Sequence, residues 1–221
     1  MESRRFHDRA EAGRLLADRL RHYAGRDDVI VLALPRGGVP VGYEVAKALG
    51  APLDVFVVRK LGVPGYEELA MGAIASGGLI VLNREALQAL PITEADIQRA
   101  AAAELRELER REEAYRGGYD PPDVEGKTVI LVDDGLATGS TMRAAALAVR
   151  QLNPARVVVA VPVAAAETCD DFRDVVDEIV CSVTPRPFRA VGLWYEDFSQ
   201  TSDEEAGELL TRANEPAEAP Q

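Results

Sequence analysis

The chain has 221 residues, with 37 acids against 25 bases and a net charge of −12. That length accommodates one α/β domain with a sizeable core and some appendage. The acidic balance argues against a nucleic-acid surface that works by neutralising phosphates over a wide area, so any phosphate has to be held locally.

The opening residues, MESRRFHDRAEAGRLLADRL, contain no signal-peptide apolar core, and no window approaches the ~20 apolar residues of a membrane span. The expectation is a cytoplasmic protein without a membrane partner. His7 and His22 fall in an N-terminal helical pattern and are expected to be surface or half-buried helix residues. Beyond them, apolar runs at 29–34, 53–58, 128–132, 156–161 and 177–181 are rich in valine and isoleucine and mostly lack alternation, as in strands buried on both faces. Helical segments at 39–49, 140–152 and 164–173 lie between them. Strand-helix-strand order predicts a parallel sheet covered by helices, whose ligands bind at the carboxyl ends of the strands.

The first strand ends in LPRGGVPVG, which puts Arg36, Gly37 and Gly38 at a strand-to-helix turn. Glycines allow close backbone approach to an anion, and arginine supplies a forked cation. A plain turn with a surface arginine is the alternative for this stretch alone. The second strand runs out into Arg59 and Lys60, followed by a glycine-rich stretch to Gly78. Residues 93–116 open with Thr93 and Asp96 in capping-box spacing and carry apolar residues at helical intervals, up to Gly117-Gly118. This long amphipathic helix reads as an insertion beside the mouth of a site, a lid or an oligomer contact, or as a cover for the sheet edge.

The run VILVDDGLATGST, residues 129–141, sets two carboxylates, Asp133 and Asp134, at the end of a buried strand. A small-residue loop and a helix N-terminus follow, and backbone N–H groups with a favourable dipole make that an anion site suited to a phosphate. Thr138, Ser140 and Thr141 add hydroxyl donors, while the carboxylates would accept hydrogen bonds from hydroxyls beside the phosphate. A ligand with a phosphate near a vicinal diol, such as a ribose 5-phosphate, meets both demands. The loop lacks a P-loop lysine and is not GxGxxG. Solvated strand-end acids before an ordinary capped helix are the bland alternative. Cys169 and Cys181, twelve residues apart, read as buried reduced thiols. The segment 185–198, PRPFRAVGLWYEDF, is aromatic, and from Ser202 onward six acids against one arginine read as a short exposed helix and a disordered tail.

The 129–141 string closely resembles the signature of type I phosphoribosyltransferases. The resemblance implies an α/β fold: a parallel-sheet, Rossmann-like core at 28–184 with an inserted helix at 93–118. A small C-terminal hood at 185–200 would complete a domain over 1–200, leaving 201–221 as an acidic tail. It further implies binding of phosphoribosyl pyrophosphate (PRPP), with Asp133 and Asp134 near the ribose hydroxyls. Gly135, Ala137, Thr138, Gly139, Ser140 and Thr141 would surround the 5-phosphate. The PRGG turn, with a peptide bond before Arg36 that is often cis in the family, would hold pyrophosphate through Arg36, Gly37, Gly38, Arg59 and Lys60. Trp194 and Tyr195 would wall the acceptor pocket unless they form the hood's own core. The implied reaction is magnesium-dependent transfer to a nucleobase-like or other nitrogen acceptor. Magnesium would be held mainly through the ligand, in a protein expected to be a homodimer. Arg59-Lys60 with its loop, and NREAL at 83–87, are most similar to the adenine-type branch. The acid of that branch's mobile loop has no counterpart between Met71 and Leu82, so the acceptor stays open. A regulatory protein that senses PRPP or a nucleotide without catalysis is the alternative, as is hydrolysis or phosphorolysis of a related ribosyl phosphate.

Overall fold

A computed structural model describes residues 5–117 and 120–215. In chain order the strands are β1 (Val29–Ala33), β2 (Leu53–Val55), β3 (Val58–Val63), β4 (Tyr66–Ala75), β5 (Leu79–Leu82), β6 (Thr128–Val132), β7 (Arg156–Val163) and β8 (Glu178–Val183). The helices are α1 (Arg9–Arg19), α2 (Gly38–Leu49), α3 (Arg84–Ala89), α4 (Glu94–Arg116), α5 (Ser140–Arg150), α6 (Ala166–Asp171) and α7 (Asp203–Asn214).

Five strands form a parallel sheet in the order β2-β1-β6-β7-β8. Every residue of β1 and β6 is buried, because helices cover both faces. Val31, Ala33, Ile130 and Val132 pack on one side with α1, α2, α4 and α7. Ile30, Leu32, Val129 and Leu131 pack on the other with α5 and with Phe172 and Val175. The register pairs Ala33 with Val132, so β1 and β6 end at the same level and their loops emerge side by side. That alignment sets up the site.

The apolar run at 53–58 is not one strand. After Val55 the Val57 N–H is taken by the Ser76 hydroxyl at 2.8 Å, and the chain turns away into the antiparallel sheet β3-β4-β5. The glycine-rich stretch is therefore strand, with Gly77 and Gly78 at positive φ in the turn before β5. Helix α4 carries the expected capping box at Thr93 and Asp96 and ends at Gly117; Gly118 lies outside the described residues. It buries Ile97, Ala101, Leu108 and Tyr115, and Arg116 closes the sheet edge by pairing with Asp54 of β2 at 2.9 Å. Its C-terminal turn thus lies against the β2 edge of the sheet.

Two further expectations fail. Helix α7 is not merely exposed: Ala206 and Leu210 are buried in the core shared with α2 and α4, while the expected disordered end past residue 215 lies outside the described residues. Cys169 and Cys181 are half-buried and joined as a disulfide, because α6 and β8 bring them together. His7 and His22 are exposed as expected, His22 in a one-turn 3-10 helix at Arg21–Tyr23 and His7 just ahead of α1. Among the described residues no helix is long and apolar enough to cross a membrane.

Candidate active site

The loops leaving β1 and β6 meet through glycine. A Cβ on Gly37 would stand 2.1 Å from Asp134 Oδ2, and one on Gly38 would stand 2.7 Å from the Val132 carbonyl and 3.0 Å from Asp133 Cα. No side chain fits between the PRGG turn and the acid pair. The Pro35-Arg36 peptide bond is cis, as the resemblance implies. Arg36 is half-exposed at this turn.

The two acids are half-buried rather than solvated. Asp133 Oδ1 accepts the Asp134 N–H at 2.8 Å. Asp134 Oδ2 lies 2.9 Å from both Nε and Nη2 of Arg9, whose Nη1 donates to the Ser199 carbonyl at 2.6 Å. Burial pushes the Asp133 carboxyl well above its usual range, and the Asp134 charge adds to that. Burial also raises Asp134, with the Arg9 guanidinium pulling the other way. No hydrogen bond from another side chain reaches Asp133 Oδ2 or Asp134 Oδ1 among the described residues. Two carboxylate oxygens are thus left for a ligand.

Beyond Asp134 the loop is moulded by its neighbours. A Cβ on Gly135 would meet Val191 at 2.6 Å, Leu136 donates its N–H to the Val163 carbonyl, and Ala137 offers its carbonyl to the Thr168 hydroxyl at 2.8 Å. Gly139, at φ 70, caps α5 over the Phe172 ring, and the Thr138 and Ser140 hydroxyls lie 3.2 Å apart. Helix capping separates this end of the molecule from the rest. Helices α1, α3, α4 and α7 have their first N–H groups capped by the side chains of Asp8, Asn83, Thr93 and Ser202. Helices α2 and α5 begin at Gly37 and Gly139 with no side-chain cap. The first α5 donors are left for something else, whereas in α2 the Gly38 and Val39 N–H groups donate to the Leu34 and Arg36 carbonyls. The short α6, after Ala165, also lacks a side-chain cap.

The other predicted ligands do not all converge here. Arg59 and Lys60 are neighbours on β3 and therefore face opposite ways. Arg59 pairs with Glu104 of α4 at 2.7 Å, whereas Lys60 lines a cavity of about 660 Å³ between the β3-β4-β5 sheet and α5, which Ser140 and Thr141 also line. The joint pyrophosphate set of Arg36, Arg59 and Lys60 is not assembled in this geometry. Tyr195, expected as an acceptor wall, is 3% exposed, with the Phe6 and Phe198 rings 5.4 and 5.0 Å away. Its hydroxyl donates to the Asp134 carbonyl at 2.6 Å, and burial raises its pKa. Tyr195 is hood core and has no open face for a ring. Trp194 is half-buried beside it.

Arg9 escaped the sequence reading, which had placed the hood at 185–200. Phe6 belongs to that hood: its N–H donates to the Trp194 carbonyl and its carbonyl accepts the Glu196 N–H, both at 2.8 Å. The one local signal is a cation at the first position of a helix, where the dipole disfavours it. Among the described residues no group of three or more His, Cys, Asp or Glu side chains could cage a metal ion.

Comparison with known proteins agrees with this architecture. A "Putative phosphoribosyl transferase" of Mycobacterium tuberculosis is 47% identical over 209 residues, covering 95% of this chain and 47% of that protein. The chain thus spans about half the length of the mycobacterial relatives that it matches. The "Bifunctional protein PyrR" of Chloroflexus aurantiacus is 32% identical over 137 residues, covering 57% of this chain and 65% of that protein. The crystal structure of TT1426 from Thermus thermophilus has a TM-score of 0.83 at 44% identity, over 94% of this chain and 98% of that one. The phosphoribosyl transferase domain model matches residues 5–192, and the chain belongs to that family.

Proposed function

We propose that this chain transfers the phosphoribosyl group of PRPP to a nitrogen acceptor and releases pyrophosphate. The observation that carries this reading is a carboxylate pair flanked by the α2 and α5 N-termini, which follow Gly37 and Gly139 without a side-chain cap at the ends of adjacent strands. The α5 cup, Gly135 to Thr141, takes the 5-phosphate through backbone N–H groups and the Thr138, Ser140 and Thr141 hydroxyls. Asp133 Oδ2 and Asp134 Oδ1 accept the vicinal ribose hydroxyls, which fixes the sugar between the cups. The α2 turn, with Arg36, takes the pyrophosphate. Arg59 joins it only after leaving Glu104, and Lys60 approaches from the α5 side.

As the acceptor nitrogen bonds to the anomeric carbon, the bond from that carbon to the pyrophosphate oxygen breaks and its electron pair leaves with pyrophosphate. The transition state has oxocarbenium character. Positioning and electrostatics therefore dominate: the anion cups hold both ends of the ligand, and the carboxylates stabilise positive charge developing on the sugar. Magnesium takes oxygen donors, so the ligand's own oxygens beside Asp133 and Asp134 would hold it, and it would neutralise pyrophosphate charge when bound. A nucleobase-like acceptor would enter under the hood beside Trp194 and Phe198, the latter 38% exposed.

The test is pyrophosphate release from PRPP and magnesium across a panel of purines, pyrimidines and small amines. Turnover with one acceptor supports the transfer. PRPP binding with no turnover on any acceptor would favour a sensing role, and no binding would overturn the site.

A further inference from the structure

Asp134 is restrained from three directions by segments far apart in the chain. The first is the N-terminal segment: Phe6 pairs with residues 194–196 of the hood, Asp197 donates its N–H to the His7 carbonyl, and Asp8 caps α1, which fixes where Arg9 begins the helix. From there Arg9 sets two donors on Asp134 Oδ2 and a third on the Ser199 carbonyl, with its guanidinium carbon 4.1 Å from the centre of the Phe198 ring. The side chain is only 11% exposed. The second restraint is the Tyr195 hydroxyl on the Asp134 carbonyl. The third is the PRGG turn, where Oδ2 fills the space that a Cβ on Gly37 would need, 2.1 Å away.

We propose that Arg9 is a positioning residue for sugar binding: it pins Asp134 Oδ2 so that Oδ1 alone is presented to a ribose hydroxyl, which makes a competent sugar site conditional on the N-terminal segment being docked on the hood. The proposal rests on the PRPP reading above. Arg9 has at least three of its five donors engaged and is too covered to act as an anion ligand itself, so its influence passes through Asp134. Its planar fork matters as well as its charge. Nε and Nη2 approach one oxygen together while Nη1 ties the same side chain to the hood, a geometry that the single ammonium of lysine cannot reproduce. A cation at the positive end of α1 is unfavourable for the helix alone, and the Asp134 carboxylate is the compensating partner.

The experiment is a calorimetric titration of PRPP with magnesium into the wild-type protein and into Arg9→Gln, Arg9→Lys and Val124→Ala, each with its melting temperature. Steady-state constants for PRPP and for the accepted base would accompany them. Wild-type protein that does not bind PRPP defeats the functional reading itself, whatever the variants do. If it binds, folded Arg9→Gln is expected to lose about ten- to a hundred-fold in PRPP affinity, the scale of a misplaced contact group. The loss should appear in the PRPP constant and leave the acceptor constant within about three-fold. Arg9→Lys, retaining charge without the fork, should fall between the two, and Val124→Ala, which loosens the core at the amino end of the sheet away from the carboxylates, should melt lower yet bind PRPP normally. PRPP affinity unchanged in Arg9→Gln overturns the proposal, and so do affinity losses that follow melting temperature across all three variants. Should Arg9→Gln fail to fold, Arg9→Lys decides alone: wild-type affinity in that variant refutes the role of the fork.

Discussion

Gly37→Ala puts a methyl group where two loops and an ion pair already meet. The new Cβ would lie 2.1 Å from Asp134 Oδ2, 2.8 Å from its Cγ and 3.3 Å from Arg9 Nε. Ordinary contact lies near ~3.5 Å, so the oxygen has to retreat by more than about 1 Å. It cannot do so while two Arg9 nitrogens hold it at 2.9 Å. Either the ion pair breaks or the start of α2 moves. Overpacking of this kind costs about 1 to 3 kcal/mol, which for a chain of this length lowers the melting temperature by about 2 to 12 °C. Losing one charge-assisted hydrogen bond to the sugar is worth about 1.5 to 3 kcal/mol, a fall in PRPP affinity of roughly ten- to 150-fold. Gly25→Ala is the control. Gly25 sits at positive φ, with nothing within 4 Å of the added carbon; the variant should lose only about 1 to 2 kcal/mol of stability and no affinity. Thermal unfolding and PRPP titration of both variants check this. Gly37→Ala with normal melting and PRPP affinity within about two-fold of wild type would refute the packing argument.

Asp133→Asn should melt above the wild type at pH 7, with the gap closing toward pH 4. The Asp133 carboxyl is held above its usual value by burial and by Asp134, so its contribution to folding is full below the unfolded value near ~4 and is lost as pH rises through the folded one. Melting curves across that pH range are the check, and a variant less stable at pH 7 would contradict it. The double change Asp133→Asn with Asp134→Asn should leave a folded protein that binds PRPP at least about ten-fold more weakly, measured by calorimetry. Glu104→Gln removes the competitor for Arg59: the pair is about 30% exposed on each side and worth about 0.2 to 1 kcal/mol, so PRPP should bind roughly 1.5- to five-fold more tightly. Unchanged affinity would remove Arg59 from the site. Tyr195→Ala should cost about 3 to 5 kcal/mol in thermal unfolding and weaken both substrates together, because the ring is hood core; a stable variant defective only toward the acceptor would restore it to the pocket.

Much of this architecture was legible because its signals are local. A strand covered on both faces has to be apolar throughout, so 128–132 could be bounded to the residue, and 129–141 carries strand, acids, glycine loop and helix start in one string. The PRGG turn was legible for the same reason. What failed depends on partners far along the chain. The run 53–58 looks continuous because hydrophobicity does not record that Ser76 takes the Val57 N–H. Arg59 and Lys60 are adjacent in sequence, but strand alternation sends one to Glu104 and the other toward α5. The charge of the last helix obscured Ala206 and Leu210, and the pairing of Cys169 with Cys181 depends on how α6 meets β8. Arg9 lies 125 residues from the carboxylate it holds, with only its unfavourable place on α1 to mark it.

The central claim is the location of the ligand, and the most direct measurement is a crystal structure of the protein with PRPP and magnesium. The account predicts density for the 5-phosphate in the cup formed by residues 135–141, the ribose hydroxyls on Asp133 Oδ2 and Asp134 Oδ1, and the pyrophosphate over the Arg36-Gly38 turn. Density for the phosphate outside the α5 cup, or a sugar that leaves both carboxylates without a hydroxyl, would contradict it.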